Sequence, residues 1–289
     1  MTLMPKGFRQ LKVAAISMKP KKWDKEANAL KMERFFGRAA ALDAKVAVIT
    51  EGALEGLVAI DAIRKPELAA RILEISEARD GPYIRRFSGL ARELRMCLCL
   101  GFAERVGDEA YNSAIFIDHD GIIRGGHHKM QFAEGYHESW FFNRLGSQIR
   151  AFDTPFGRAG FLICNDRWNP ALGRALVLDG AQVIYILAYG SKKLRQDRAV
   201  LARARENGVP VVEANVGVNL IISRGEVVAN QRGVDRITVA DIDIPVLPSA
   251  EAAREVELEF LASRPQEMEK EYVKYMASMR KRKTPQLVS

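Results

Sequence analysis

Only three of the 289 residues are cysteine. Three thiols cannot build a disulfide framework, so a reducing, cytoplasmic setting is expected. Histidine occurs four times, never in metal-ligand spacing with the cysteines. His127 and His128 are adjacent, so on a strand they face opposite sides and cannot chelate one ion. The chain has no G-x-G-x-x-G and no Walker loop, which argues against a nucleotide cofactor. It has no apolar run long enough to span a bilayer, and "MTLMPKGFRQLK" lacks the apolar core of a signal peptide. No membrane partner is therefore expected. Low-complexity segments, short repeats and a Pro/Gly/Ser-rich linker are also missing, which favours one large domain.

What is present is an ordinary globular balance, 48% hydrophobic and 28% charged, with ample length for a core. The formal net charge is +8, and much of the excess sits in the "MRKRKTPQ" of the last residues. Basic residues there read as a solvated helix end. Without aromatic–basic interleaving or a nucleic-acid motif, no nucleic-acid partner is expected.

The apolar pattern alternates between two periods. "LKVAAISM" reads as a strand. In the helix that follows, Met32, Phe35, Phe36, Ala39 and Ala40 share a stripe, with Asp24 as N-cap. "KVAVIT" is a buried strand. Ile84, Phe87, Ala91 and Leu94 mark a helix, and "MCLCLGFAE" is the next strand. Hairpins then cross at "HDG" and "PFG". Alternation resumes with "PALGRALVLD", "QVIYILA", "KLRQDRAVLARAREN" and "VPVVEAN". A meander of "NLIIS", "EVVAN" and "ITVADIDI" follows. Two similar halves of this kind predict two sheets packed face to face with helices outside, an α/β four-layer α-β-β-α sandwich spanning residues 1–248. Residues 249–289 are too charged for a core and read as a packing arm.

Three strands end on reactive residues: Glu51 after "VAVIT", Lys129 after "IIRGGHH" and Cys164 after "FLI". A residue just past a buried strand is held rigidly yet reaches the surface. Asn169 and Pro170 read as the N-cap and first position of a helix, so Cys164 sits on a short strand-to-helix turn resembling a nucleophile elbow. A thiol is mostly neutral near pH 7 and needs a base or a cation beside it. Glu51 could serve as the base, and Lys129 could stabilise a negatively charged intermediate. A solvent-facing strand-end glutamate and an ordinary surface lysine are the alternatives. Cys97 and Cys99 lie on one face of a buried strand and read as core.

Glu51, Lys129 and Cys164, in that order and at strand ends, resemble the Glu-Lys-Cys triad of the nitrilase superfamily of carbon–nitrogen hydrolases. The similarity extends through "GFAERVGDEAYNSAIFIDHDGIIRGGHHKM", "FDTPFGRAGFLICNDRWNPALGRALVLDGAQVI" and "ARARENGVPVVEANVGVN", and covers most of residues 10 to 245. Thr50 stands where the family usually has proline. "GYHESWFF" places Glu138 where the family often carries a second glutamate, and Glu134 in "FAEG" is the rival. The resemblance implies that Glu51 takes the thiol proton and that Cys164 attacks an amide or ureido carbonyl. Lys129 and the Asn165 backbone N–H would stabilise the oxyanion, Glu138 would orient lysine and substrate, and water would hydrolyse the thioester. It implies no metal and no organic cofactor. It also implies a homodimer or higher homo-oligomer, with the C-terminal arm packed on the domain or a partner subunit.

Within the family "CND" differs from the "CWE" typical of true nitrilases. "ICNDRW" resembles N-carbamoyl-amino-acid amidohydrolases, in which an arginine binds the substrate carboxylate. Arg167 matches it, and a structural ion pair is the alternative. The expected substrate is an N-carbamoyl amino acid or related ureido compound, with an aliphatic or ω-amide amidase as the second reading. A non-catalytic scaffold and an acyltransferase are the readings from other classes. Selectivity is expected in loops around 52–62, 131–147 and 188–195.

Overall fold

Three sets of inward-facing side chains account for the architecture. The computed structural model describes residues 7–132, 143–190, 193–246 and 250–282. Its strands are β1 (Phe8–Ser17), β2 (Val46–Ile49), β3 (Cys97–Val106), β4 (Glu109–Ile117), β5 (Ile123–His128), β6 (Asn143–Arg144), β7 (Phe152–Thr154), β8 (Gly157–Ile163), β9 (Val183–Ala188), β10 (Val211–Asn215), β11 (Val218–Ser223), β12 (Glu226–Arg232) and β13 (Arg236–Pro245). Its helices are α1 (Lys25–Ala41), α2 (Ala59–Arg64), α3 (Ala69–Ile75), α4 (Pro82–Leu94), α5 (Pro170–Leu178), α6 (Leu194–Asn207) and α7 (Ala250–Arg282).

The first sheet runs β13-β1-β2-β3-β4-β5, with β6 beside β4, and the second runs β12-β11-β10-β9-β8-β7. Alternate residues of each central strand serve different cores. Ala14, Ile16, Ala47, Ile49, Leu98 and Leu100 pack outward against Met32, Phe36 and Phe87 of α1 and α4. Val13, Ala15, Val46, Val48, Cys97 and Cys99 point the other way, meeting Phe161, Ile163, Tyr185 and Leu187 of the second sheet. Leu162, Ile184, Ile186 and Val211 face Leu176, Val200 and Ala204 of α5 and α6. Strands covered on both faces read as continuous apolar runs, which is why "KVAVIT" and "QVIYILA" lack polar alternation. The body is the expected four-layer α-β-β-α sandwich, and Cys97 and Cys99 lie fully buried between its sheets.

The helix caps follow the sequence. Asp24 accepts from the Ala27 N–H at 3.0 Å, and Asn169 from the Ala171 N–H at 3.0 Å, each satisfying one orphan donor of a first turn. Two features depart from the sequence reading. Helices α2 and α3 lie in a stretch where no helix is expected. Strand β13, expected in the final meander, crosses to the other sheet and pairs antiparallel with β1 from Phe8↔Pro245 to Ser17↔Arg236. Its two faces suit that position: Ile242 and Ile244 enter the inter-sheet core, while Ile237 and Val239 pack on the outer one.

By contacts, residues 8–245 form one compact unit and the two chain ends another. In the second, α7 carries an internal Pro265 and exposed Leu258, Met268, Tyr272, Val273 and Tyr275. Among the described residues no helix is long and apolar enough to cross a membrane.

One close approach in the first sheet sets the height of the turn after β2. A Cβ on Gly101 of β3 would lie 2.6 Å from the Thr50 carbonyl oxygen and 3.0 Å from the Glu51 Cα. Both obstacles are backbone, so the turn would have to move. Gly101→Ala is predicted to lower stability by roughly 1–3 kcal/mol, as overpacked cores do. Urea unfolding checks this, and an unchanged midpoint would show that the turn yields freely.

Candidate active site

The turn after β2 is buried throughout. Thr50 fixes its start by donating its hydroxyl to the Met18 carbonyl at 3.0 Å, so a hydrogen bond takes the place of the family's usual proline. Gly52 (φ 57°) and Leu57 (φ 51°) adopt left-handed backbone. The Gly56 and Leu57 N–H groups close the loop on the Gly52 carbonyl at 2.9 and 3.1 Å. Glu51 is thereby aimed between the sheets with 1% of its surface exposed.

A buried carboxylate needs partners, and Glu51 has three. Lys129 Nζ donates to Oε1 at 2.5 Å, Asn112 Nδ2 donates to Oε1 at 2.8 Å, and the Tyr189 backbone N–H donates to Oε2 at 2.9 Å. Lys129 stands one residue past β5, where its own N–H donates to the Asn112 carbonyl at 2.8 Å. Burial disfavours its ammonium form, but the charges of Glu51 and Cys164 outweigh that and raise its pKa above the ordinary value. Asn112 was not singled out in the sequence. Its signal is a polar side chain inside the otherwise apolar strand "YNSAIFID".

Cys164 directly follows β8 in a left-handed conformation (φ 47°), a strained position for a residue with a Cβ. A 3-10 turn, Cys164–Trp168, follows and leads into α5. The thiol is half-buried. Burial first, then the Glu51 charge, raises its pKa, while Lys129, Arg167 and the Tyr189 N–H act in the opposite sense. Gly190 lies against it, and a Cβ there would sit 3.5 Å from Sγ. The structure therefore brings Glu51, Lys129 and Cys164 into one cluster.

The other sequence candidates fall differently. Asn165 turns its side chain away, donating to the Phe132 carbonyl at 2.6 Å, while its backbone N–H directly follows the thiol-bearing residue. Arg167 is buried in an ion pair with Glu213 of β10, the alternative to carboxylate recognition that the sequence left open. Its guanidinium contacts Glu213 and the Cys164 sulfur. Glu138 and Glu134 lie outside the described residues.

Asp166 joins the lysine and cysteine segments. Its Oδ2 accepts from the Ile163 N–H at 3.0 Å and pairs with His127 Nε2 at 2.9 Å. Its Oδ1 accepts from the Met130 and Gln131 N–H groups at 3.2 and 2.8 Å. The two adjacent histidines do face opposite ways. His128 Nε2 pairs with Glu104 at 2.9 Å, alongside Arg79 at 2.8 Å and Ser113 Oγ at 2.6 Å. Burial alone would raise the pKa of Glu104, but those three partners hold it at about 2. Glu55, in the turn after Glu51, is instead pushed up to about 7 by burial, although it accepts from the Ala103 N–H at 2.9 Å.

Comparison with known proteins gives a consistent picture. The family model described as carbon-nitrogen hydrolase matches residues 12–251. The N-carbamoylputrescine amidase of Oryza sativa subsp. japonica is 35% identical over 146 residues, covering 50% of this chain and 47% of that protein. The citrullinase of Francisella tularensis is 31% identical over 147 residues, covering 47% of this chain and 51% of that protein. The chain thus spans about half the length of these curated relatives. Among solved structures, Saccharomyces cerevisiae Nit3, a member of branch 10 of the nitrilase superfamily, superposes with a TM-score of 0.70 at 23% identity, covering 81% of this chain and 90% of that one. At that identity the likeness is one of fold.

Two outcomes are expected. Asp166→Ala strands three backbone donors and His127, each unmet buried group costing about 1–3 kcal/mol. The variant should lose several kcal/mol in urea unfolding, and a loss under 1 kcal/mol would show that water replaces the carboxylate. Stability should also depend on pH in two windows. Glu55 has a raised folded pKa, so its contribution is full below its ordinary 4.5 and is lost as pH rises through about 7. Glu104 has a depressed one, so its contribution is present above 4.5 and is lost as pH falls toward 2. Urea midpoints should therefore fall between pH 5 and 8, Glu55 alone accounting for roughly 3 kcal/mol. A flat profile there would mean that Glu55 ionises freely inside the fold.

Proposed function

Because this chain belongs to the carbon-nitrogen hydrolase family, we propose that Cys164, Glu51 and Lys129 hydrolyse the carbon–nitrogen bond of a ureido or amide group through a thioester. The observation that carries this reading is the convergence of the three side chains from the ends of β8, β2 and β5, with Lys129 bonded to Glu51 at 2.5 Å.

Each partner suits its part. Glu51 Oε1 accepts two bonds, but Oε2 accepts only the Tyr189 N–H among the described residues. A carboxylate oxygen has two lone pairs, so Oε2 keeps one for the thiol proton. The thiolate adds to the carbonyl carbon, and the oxyanion is met by the Lys129 ammonium and the Asn165 N–H. The carbon–nitrogen bond then breaks, with Glu51 returning its proton to the departing nitrogen. Water, deprotonated by Glu51, attacks the thioester, and the thiolate leaves and is reprotonated.

The substrate class proposed is an N-carbamoyl compound. The names of both relatives, N-carbamoylputrescine amidase and citrullinase, denote substrates that end in a carbamoyl group. Loss of the amine would leave a carbamoyl thioester, and its hydrolysis yields carbamic acid, which decomposes to carbon dioxide and ammonia. With Arg167 committed to Glu213, nothing in this reading requires a carboxylate beside the scissile bond. An aliphatic amide is the second substrate class and would give ammonia and a free acid.

Ammonia and amine release should be measured over N-carbamoylputrescine, citrulline, an N-carbamoyl amino acid, aliphatic amides and nitriles. Ureido compounds should turn over, nitriles should not, and Cys164→Ala should abolish turnover. Glu51→Gln and Lys129→Ala should each lower kcat by about a thousandfold or more while the variants remain folded. Iodoacetamide should label Cys164 before Cys97 or Cys99. Turnover retained in Cys164→Ala sinks the mechanism, and turnover of aliphatic amides alone sinks the substrate class.

A further inference from the structure

The ion pair behind the nucleophile has an unusual shape. Arg167 is 2% exposed and Glu213 is fully buried. Two such groups that served only each other would be expected to meet as fork on fork, with two parallel hydrogen bonds. Here Arg167 offers Glu213 Oε1 only Nη1. Its Nη2 points instead to Cys164 Sγ, 3.8 Å away, within reach of a sulfur hydrogen bond. Arg167 Nε and Glu213 Oε2 are buried without a partner, so the pair forgoes its second bond and keeps the guanidinium on the sulfur.

We propose that Arg167 is a catalytic residue that stabilises the Cys164 thiolate, and that Glu213 is the positioning residue that holds its guanidinium against the sulfur. The need follows from the charges around the thiol. Glu51 faces it as an anion, Lys129 as a cation bound to Glu51, Tyr189 as a backbone N–H, and Arg167 as the second cation. Before the proton moves, Lys129 is engaged with the carboxylate. After it moves, the negative charge has shifted to sulfur, and Arg167 already lies beside that sulfur without rearranging. A fixed cation of this kind stabilises charge as it develops. Guanidinium suits the place because it stays charged when buried and carries donors on separate nitrogens. On the far side, Gln196 of α6 also donates to Glu213 Oε1 at 3.3 Å. Beyond it Asp197 is paired with Arg232, so Arg167 is the one cation shown in contact with both the sulfur and Glu213 among the described residues. Asp166, adjacent in sequence, directs both oxygens to His127 and backbone donors instead.

This inference rests on Cys164 being the nucleophile, but its test uses no substrate. Alkylation of Cys164 by iodoacetamide is followed by peptide mass spectrometry from pH 5.5 to 10 on the full chain. Arg167→Met should move the midpoint of the rate profile up by about one unit or more and slow labelling at pH 7 about tenfold. Because Glu213 would then be buried alone, the double variant Arg167→Met/Glu213→Leu, which removes both charges, should fold and show the same shift. Arg167→Lys should fall between wild type and Met. A midpoint unchanged in the double variant overturns the proposal. So does a loss of kcat/KM in Arg167→Lys confined to N-carbamoyl amino acids and absent with neutral ureido compounds, since that assigns the arginine to a substrate carboxylate. If the midpoint shifts but Cys164→Ala still turns over, Arg167 stabilises the thiolate without being a catalytic residue, and the proposed function fails.

Discussion

A carboxylate buried between two sheets is the constraint from which the rest of the site follows. Glu51 has almost no solvent, so its charge must be met by the protein. Lys129, Asn112 and the Tyr189 N–H meet it from three other segments. Those contacts fix the ends of β2, β5 and β9 and the middle of β4 relative to one another. The Asp166 clamp does the same for β5 and β8. The cluster is thus a junction of strand ends, and its geometry depends on the two sheets keeping their spacing. Breaking one member leaves another buried and uncompensated, which is why these positions are expected to tolerate so little change.

The layers were legible because each is written in a local pattern. Apolar runs such as "KVAVIT" and "QVIYILA" can be covered on both faces only in an interior strand, and the stripe Met32, Phe36, Ala39 can only be one side of a helix. The Asp24 and Asn169 caps carried their own signal. The crossing of β13 did not. Its alternation fits either sheet, and only the vacancy beside β1 decides between them. Helices α2 and α3 were missed because Pro66 interrupts a short stretch whose apolar residues give no clear period.

The candidate site was legible at its strand ends and obscure elsewhere. Glu51, Lys129 and Cys164 each stand at a strand end, so topology could gather them. Arg167 was ambiguous because the sequence shows what lies beside it on the chain, while its partner Glu213 lies on β10, far along the sequence. Asn112 and His127 were opaque for the same reason: a polar residue in a strand declares that it needs a partner without saying which. The Arg167 guanidinium lies between Glu213 and the Cys164 sulfur, enclosed by its own protein.

The pairing of β1 with β13 has a topological consequence. Phe8 and Pro245, the two ends of the body, lie opposite each other on adjacent strands. Traced through that contact, the body is a ring of strands and helices opened at one point. Beginning and end are therefore held by the same row of hydrogen bonds, and fraying from either side strips both. With β13 gone, β1 would become an open sheet edge with unpaired backbone groups, a template for another chain. The integrity of the site, whose residues all lie between these ends, is in that sense guarded at the seam.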